Sequence, residues 1–239
     1  MGENNYIVDL SQMTPEKFLE IKNALEQSCN RYYKAPKEAP EISGDSGEYE
    51  FLTEAVELSK DVEGMCCEIG TRRGLSLKHI IDAVLEYCPD KSVISIDPYG
   101  SILYQGREGQ ICRLDYTNQM KYECMAAIYA YLCEHPVDFH FFDIEDTIFF
   151  EERQHGVYKY DLERSLMDKY SMVFFDGPHY IEAIIKEIDF LFPRTPSGGT
   201  WIFDDITPDF YDHQMIRDYI GYEFNIVRTG LKKEIWQKK

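Results

Sequence analysis

The chain has 239 residues, 43 acidic side chains against 25 basic ones, and a formal net charge of −18. That balance argues against non-specific binding to nucleic acid or to an anionic membrane, since both partners need a basic stripe. A small molecule or a glycan suits it better. The length fits one α/β domain with a full core and some insertions, so 1–239 is expected to be a single domain. No apolar run approaches a membrane span, and the opening MGENNYIVDL lacks the basic and apolar regions of a secretory signal. Tyr6 stands where a myristoylation signal after Gly2 needs Ser or Thr. Seven cysteines, at 29, 66, 67, 88, 112, 124 and 133, form no C-x-x-C pair. They read as reduced core thiols of a cytoplasmic protein.

In chain order, Thr14 as N-cap and Pro15 at the first helical position start a helix expected to run to about Cys29, with Phe18, Ile21 and Leu25 on one face. A loop follows from Ala35 to Gly47, then a second helix from about Glu48 to Lys60. This helical extension, residues 1–62, is expected to cover the ligand site or to make a homo-oligomer contact.

Met65 to Ile69 is a short apolar run, and Leu75, Leu77, Ile80, Ile81, Val84 and Leu85 then recur at helical spacing. A strand therefore feeds a helix through a tight turn. Val93 to Ile96 is the next strand, with Asp97 at its carboxyl end, where open α/β sheets hold their ligands. The turn itself reads E-x-G-x-x-x-G over Glu68, Gly70 and Gly74, with Arg72 inside it. A dinucleotide fingerprint needs G-x-G-x-x-G so that backbone can approach a pyrophosphate, and a bulky arginine opposes that. A carboxylate at the mouth favours a cofactor carrying positive charge.

Further strands are expected at Val137–Phe142, Met172–Phe175, Thr200–Phe203, Glu223–Arg228 and Glu234–Gln237, the last two as a terminal hairpin. Two connectors, 101–119 and 148–170, exceed ordinary loop length. Both follow strands, so both are expected on the ligand side as walls of the substrate site.

Two strand ends are acidic: Asp176 in FFDGPHY and Asp204-Asp205 in TWIFDD. On neighbouring strands about 4.8 Å apart these carboxylates converge on one point. All-oxygen ligation of Mg²⁺ is one reading. The other is that Asp204 or Asp205 caps a helix beginning near Pro208.

The segments EIGTRRG, SIDPYG, VFFDGPHY and GGTWIFDD, in this order, resemble class I S-adenosylmethionine-dependent methyltransferases, in the branch with macrocin-type O-methyltransferases and cephalosporin-hydroxylase-like proteins. The likeness covers about Cys66 to Tyr219. It implies a Rossmann-like, seven-stranded, mostly parallel sheet with helices on both faces and an antiparallel C-terminal hairpin. It also implies S-adenosylmethionine held by Glu68, Gly70, Thr71, Gly74, Ser76, Asp97 and Asp143, and Mg²⁺ on Asp176, Asp204 and Asp205. In this branch's sugar O-methyltransferases the fourth strand ends in D-G-D, and the second acid is thought to act as base. Here Pro178 and His179 follow, so either His179 takes the proton, or the metal alone acidifies the acceptor hydroxyl, or the reaction differs, and His179 and Asp176 are the catalytic candidates. The acceptor is expected to be a small hydroxylated molecule or sugar. A nicotinamide or hydroxylase-like enzyme and a non-catalytic cofactor-binding protein stay open as alternatives.

Overall fold

The computed structural model describes residues 14–17, 19–20, 39–105, 111–160, 164–178, 180–207 and 212–239, with backbone alone for 101–105 and 111–116. The chain divides into two compact units, Met1–Ala39 and Pro40–Lys239. In the first, the amide of Lys17 donates to Thr14 Oγ1 at 3.3 Å, an N-cap bond where one was expected. From Ile21 to Glu38 that helix and the loop after it lie outside the described residues.

The second unit is built on a seven-stranded sheet. Its strands are β1 (Met65–Ile69), β2 (Val93–Ile96), β5 (Phe139–Phe142), β8 (Tyr170–Phe175), β9 (Thr200–Phe203), β10 (Phe224–Thr229) and β11 (Glu234–Lys238). Across the sheet they run β10-β11-β9-β8-β1-β2-β5. Strand β11 is antiparallel to both of its neighbours, and the pairs among β5, β2, β1, β8 and β9 are parallel. All of β1, β2, β8 and β9 is buried, which is why these strands read as continuous apolar runs.

Among the described residues of this unit, six α-helices flank the sheet: α1 (Glu50–Leu58), α2 (Leu75–Tyr87), α3 (Asn118–Leu132), α4 (Asp146–Glu152), α5 (Ile181–Leu191) and α6 (His213–Ile220). Side chains alternate along a strand, so each strand feeds two cores. Cys66, Met172, Phe174, Ile202 and Ile235 pack with α1, α2 and α3 on one face. Cys67, Val173, Phe175, Phe203 and Trp236 pack with α4, α5 and α6 on the other.

Both long connectors contain hairpins that polar composition hid. Strands β3 (Gly100–Gln105) and β4 (Ile111–Tyr116) pair antiparallel, as do β6 (Val157–Tyr160) and β7 (Arg164–Met167). The second departs from expectation in position as well. After β5, α4 carries the chain back along the sheet, so β6 and β7 stand at the amino ends of the strands, where Lys159 lies 3.4 Å from Asp138. Strands β6 and β7 therefore wall the end of the sheet opposite the cavity.

Candidate functional site

The strand order reverses beside β1, whose neighbours β2 and β8 leave toward opposite edges. Such a reversal opens a crevice at the carboxyl ends, because the flanking connections diverge there. A cavity of about 300 Å³ occupies that position. It is lined by the β1 turn from Gly70 to Ser76, by Asp97, by Glu145 to Thr147, by Asp176 and by Asp204 and Asp205.

The sheet's own ladder aims these groups. Gly70 N donates to Ile96 O at 2.9 Å, Asp97 N to Phe142 O at 3.1 Å, Asp176 N to Ile69 O at 2.9 Å and Asp204 N to Phe175 O at 3.0 Å. Each functional residue is thus the first beyond its strand, held by one last inter-strand bond. Gly70 has φ +91°, and a Cβ there would stand 2.1 Å from the carbonyl oxygen of Asp176. Only glycine permits that turn against β8.

Asp97 buttons the turn down. Its Oδ2 accepts from the amides of Thr71 at 2.9 Å and Arg72 at 2.8 Å, and its Oδ1 from Tyr99 at 3.1 Å. Burial pushes its carboxyl above the ordinary range, against the pull of those three amides. Arg72, at φ +46°, pairs with Asp45, and its carbonyl accepts from the Tyr99 hydroxyl at 2.5 Å.

Glu68 lies one layer below, with no exposed surface. It is absent from the cavity wall and supports it instead, accepting from Ser76 Oγ at 2.6 Å and Ser95 Oγ at 3.0 Å. Thr71 Oγ1 in turn shares a hydrogen bond with Ser95. Burial pushes the Glu68 carboxyl up to about 8, so it is mostly protonated at neutral pH.

Thr71, Gly74 and Ser76 line the cavity, and Asp143 does not. It is a partly exposed partner of Lys121 at 2.5 Å, and the acids that reach the cavity after β5 are Glu145 and Asp146. Sequence spacing missed them because the chain makes one more turn before α4. Beneath Asp146 lies Glu187, whose carboxyl is held well above the ordinary range by burial first and the Asp146 charge second.

Asp176, Asp204 and Asp205 do converge. Asp176 is raised well above the usual carboxylate range by burial and by the charge of Asp204. His179 lies outside the described residues. Among the described residues the helix after β9 starts at His213 with Asp212 at its N-cap position, and the stretch near Pro208, where Asp204 or Asp205 is a candidate cap, lies outside the described residues.

One of the three carboxylates, Asp204, meets a cation of the protein's own. Asp204 Oδ2 accepts from Lys233 Nζ at 2.6 Å and from Ser46 Oγ at 2.7 Å, while Oδ1 accepts from Asp205 N at 2.8 Å. Sequence reading overlooked Lys233, which sits between two charged residues and resembles an ordinary solvated turn lysine. In this arrangement the trio does not fit Mg²⁺, because an ammonium holds the oxygen such an ion would need. Among the described residues no group of three His, Cys, Asp or Glu side chains is placed to hold a metal.

The N-terminal segment closes the mouth. Ser43 bridges to Gly74, and Glu48 accepts from the amides of Leu231, Lys232 and Lys233 at 2.7, 2.8 and 3.0 Å. The segment from Ser43 to Tyr49 thus lines the cavity, while α1 packs on α2 and the sheet.

A seven-stranded sheet in this order, with an acid-rimmed cavity at its reversal point, defines the class I methyltransferase fold that the motifs led us to expect. Residues 67–206 match the family model described as "Methyltransferase domain", and the chain belongs to that family. No curated protein sequence matches it. Solved structures of similar fold include CalS11, a calicheamicin methyltransferase, at TM-score 0.56 and 12% identity, covering 99% of each chain. The O-methyltransferase NovP has TM-score 0.54 and 17% identity over 80% of this chain and 79% of that one. TomG, an O-methyltransferase from Streptomyces achromogenes in complex with S-adenosylmethionine, has TM-score 0.51 and 14% identity over 95% and 100%.

Proposed function

We propose that this protein uses S-adenosylmethionine to methylate a hydroxyl group of a small, sugar-like acceptor. The observation that carries this reading is the acid-lined cavity at the strand reversal, closed by a glycine turn that Asp97 holds. Bound there, S-adenosylmethionine supplies an electrophilic methyl group on a cationic sulfur. The donor set fits such a cofactor, since Asp97, Glu145, Asp146 and Asp176 bring carboxyl groups to the cavity wall, which a bound positive charge would favour in their ionised form.

Gly70 and Gly74 give the ligand access to backbone, with Thr71 and Ser76 beside them. A carboxylate has about four lone-pair sites, and three amides already use three of those on Asp97, so it has room for one ribose hydroxyl. Glu145 and Asp146, rather than Asp143, flank the adenine side. Glu68 senses the cofactor's positive charge from below the turn and gains reason to ionise.

Asp176 is the group we assign to the acceptor proton. Its carboxylate lies at the cavity wall, and a raised pKa makes it a stronger base once ionised. No step in this reading runs through Mg²⁺, because Lys233 already holds Asp204. The β3–β4 hairpin, following the carboxyl end of β2, is our candidate for the acceptor's wall. A sugar hydroxyl is favoured by the likeness to CalS11, described as a TDP-rhamnose 3'-O-methyltransferase. Free thiols at the buried Cys66 and Cys67 suit a cytoplasmic setting.

Thermal melting and calorimetry test this directly. S-adenosylmethionine and S-adenosylhomocysteine should raise the melting temperature and NAD should not, and labelled methyl should pass to hydroxylated acceptors. Stabilisation by NAD alone would sink the reading.

A further inference from the structure

We infer that Lys233 is the resident cation of the acidic strand ends, balancing Asp204 so that this site needs no divalent ion. The inference deepens the function proposed above and rests on it for its catalytic meaning. Sheet register brings the lysine there. In the antiparallel pair of β11 and β9, Glu234 stands opposite Phe203, so Lys233 stands opposite Asp204, one residue beyond both strands. Alternation then sends Lys233 and Glu234 to opposite sides of the sheet.

Lys233 has no exposed surface and its ammonium makes a dense set of contacts. Nζ donates to Asp204 Oδ2 at 2.6 Å and to Ser46 Oγ at 2.5 Å, and lies 5.3 Å from the Phe174 ring and 5.9 Å from that of Tyr49. A buried charge is retained only where a counter-charge and hydrogen bonds replace its water, and both are present. The backbone of residues 231–233 is clamped in turn by the Glu48 carboxylate. For the ammonium to leave, the segment from Ser43 to Tyr49 would have to lift.

Chemically, the lysine does for Asp204 what a divalent cation would do. It neutralises one carboxylate and leaves Asp176 facing the cavity as the proton acceptor. Lys233 does not line the cavity, so it is a positioning residue acting through Asp204.

Manganese is the probe, because it mimics Mg²⁺ and is visible by electron paramagnetic resonance. Titrated into the cofactor-free full chain, Mn²⁺ should show no saturable site, and methyl transfer should be unchanged by EDTA. Lys233→Met should lose most of its methyl transfer, acquire saturable Mn²⁺ binding and recover activity with Mn²⁺, and the added change Asp204→Asn should abolish that binding. A lysine that only supports the fold would give the loss without the gained metal site. One saturable Mn²⁺ on the unaltered chain, lost in Asp204→Asn, overturns the inference, as does a folded Lys233→Met that binds none. If Lys233→Met does not fold, the titration and chelation of the unaltered chain still decide the matter. Because Mn²⁺ binding is read without S-adenosylmethionine, its outcome is independent of whether that cofactor is the right one.

Discussion

Glu68 on β1 and Glu234 on β11 are both without exposed surface in the same sheet, and they are held in opposite charge states. Among the described residues Glu68 is met by hydroxyl groups, those of Ser76, Ser95 and Thr71, and has Asp97 as an electrostatic neighbour. Burial wins there, and the carboxyl rises to about 8. For Glu234 burial also pushes upward, but hydrogen bonds from His213, Arg217 and Thr229 outweigh it and hold the group at about 2. Trp236 Nε1 adds a further donor at 2.9 Å. The contrast separates two uses of a buried acid. At the ligand end no cation among the described residues hydrogen-bonds to Glu68, which leaves its ionisation to be favoured by a bound cation. At the sheet's far side it supplies two basic side chains to Glu234, and the acid clamps α6 onto β11.

Breaking the clamp should give the largest effect. Glu234→Ala strands His213 and Arg217, and removing one partner of a buried pair costs about 3–5 kcal/mol, to be read from urea unfolding. The pH dependence comes next. Glu234 has a folded pKa of about 2 against an ordinary 4.5, so its stabilisation is present above pH 4.5 and disappears as pH falls toward 2. The loss should be on the order of 3 kcal/mol, and Glu234→Gln should flatten it.

On the ligand side, Asp97→Asn keeps the shape but weakens the turn and the ribose contact. S-adenosylmethionine should bind about 1–2 kcal/mol more weakly by calorimetry. Unchanged affinity would remove Asp97 from the cofactor site.

The smallest effect sharpens the contrast by its sign. Glu68 keeps its proton to about 8 when folded and loses it near 4.5 when unfolded, so the folded state is progressively disfavoured as pH rises between them. Relative to the unaltered chain, Glu68→Gln should therefore gain stability progressively as pH rises from 4 to 8, by at least about 1 kcal/mol over that range, and this change is independent of what the amide itself costs. A stability difference that grows toward low pH would contradict the assignment.

Most of the sheet was legible before folding was known. The five central strands, the terminal hairpin, the glycine turn and the acids at 97, 176, 204 and 205 all fall where local pattern puts them. What misled was distance along the chain. Asp143 ends a strand as Asp97 does, yet it turns to Lys121, and the cavity is reached by Asp146 three residues later. The 148–170 connector starts at the ligand end and finishes at the other, because α4 spans the sheet between them.

Residue order alone determined the alternation of strands and helices, the position of the tight turn and the kinds of charge at the strand ends. These follow from apolar periodicity and from glycine's access to positive φ, both local properties. Tertiary structure alone decided the charge state of each acid. Glu68 and Glu234 look equivalent in sequence, and Lys233 resembles any surface lysine until antiparallel register sets it against Asp204, 29 residues away along the chain. Protonation depends on what surrounds a group in three dimensions, and those surroundings come from register and packing between distant segments.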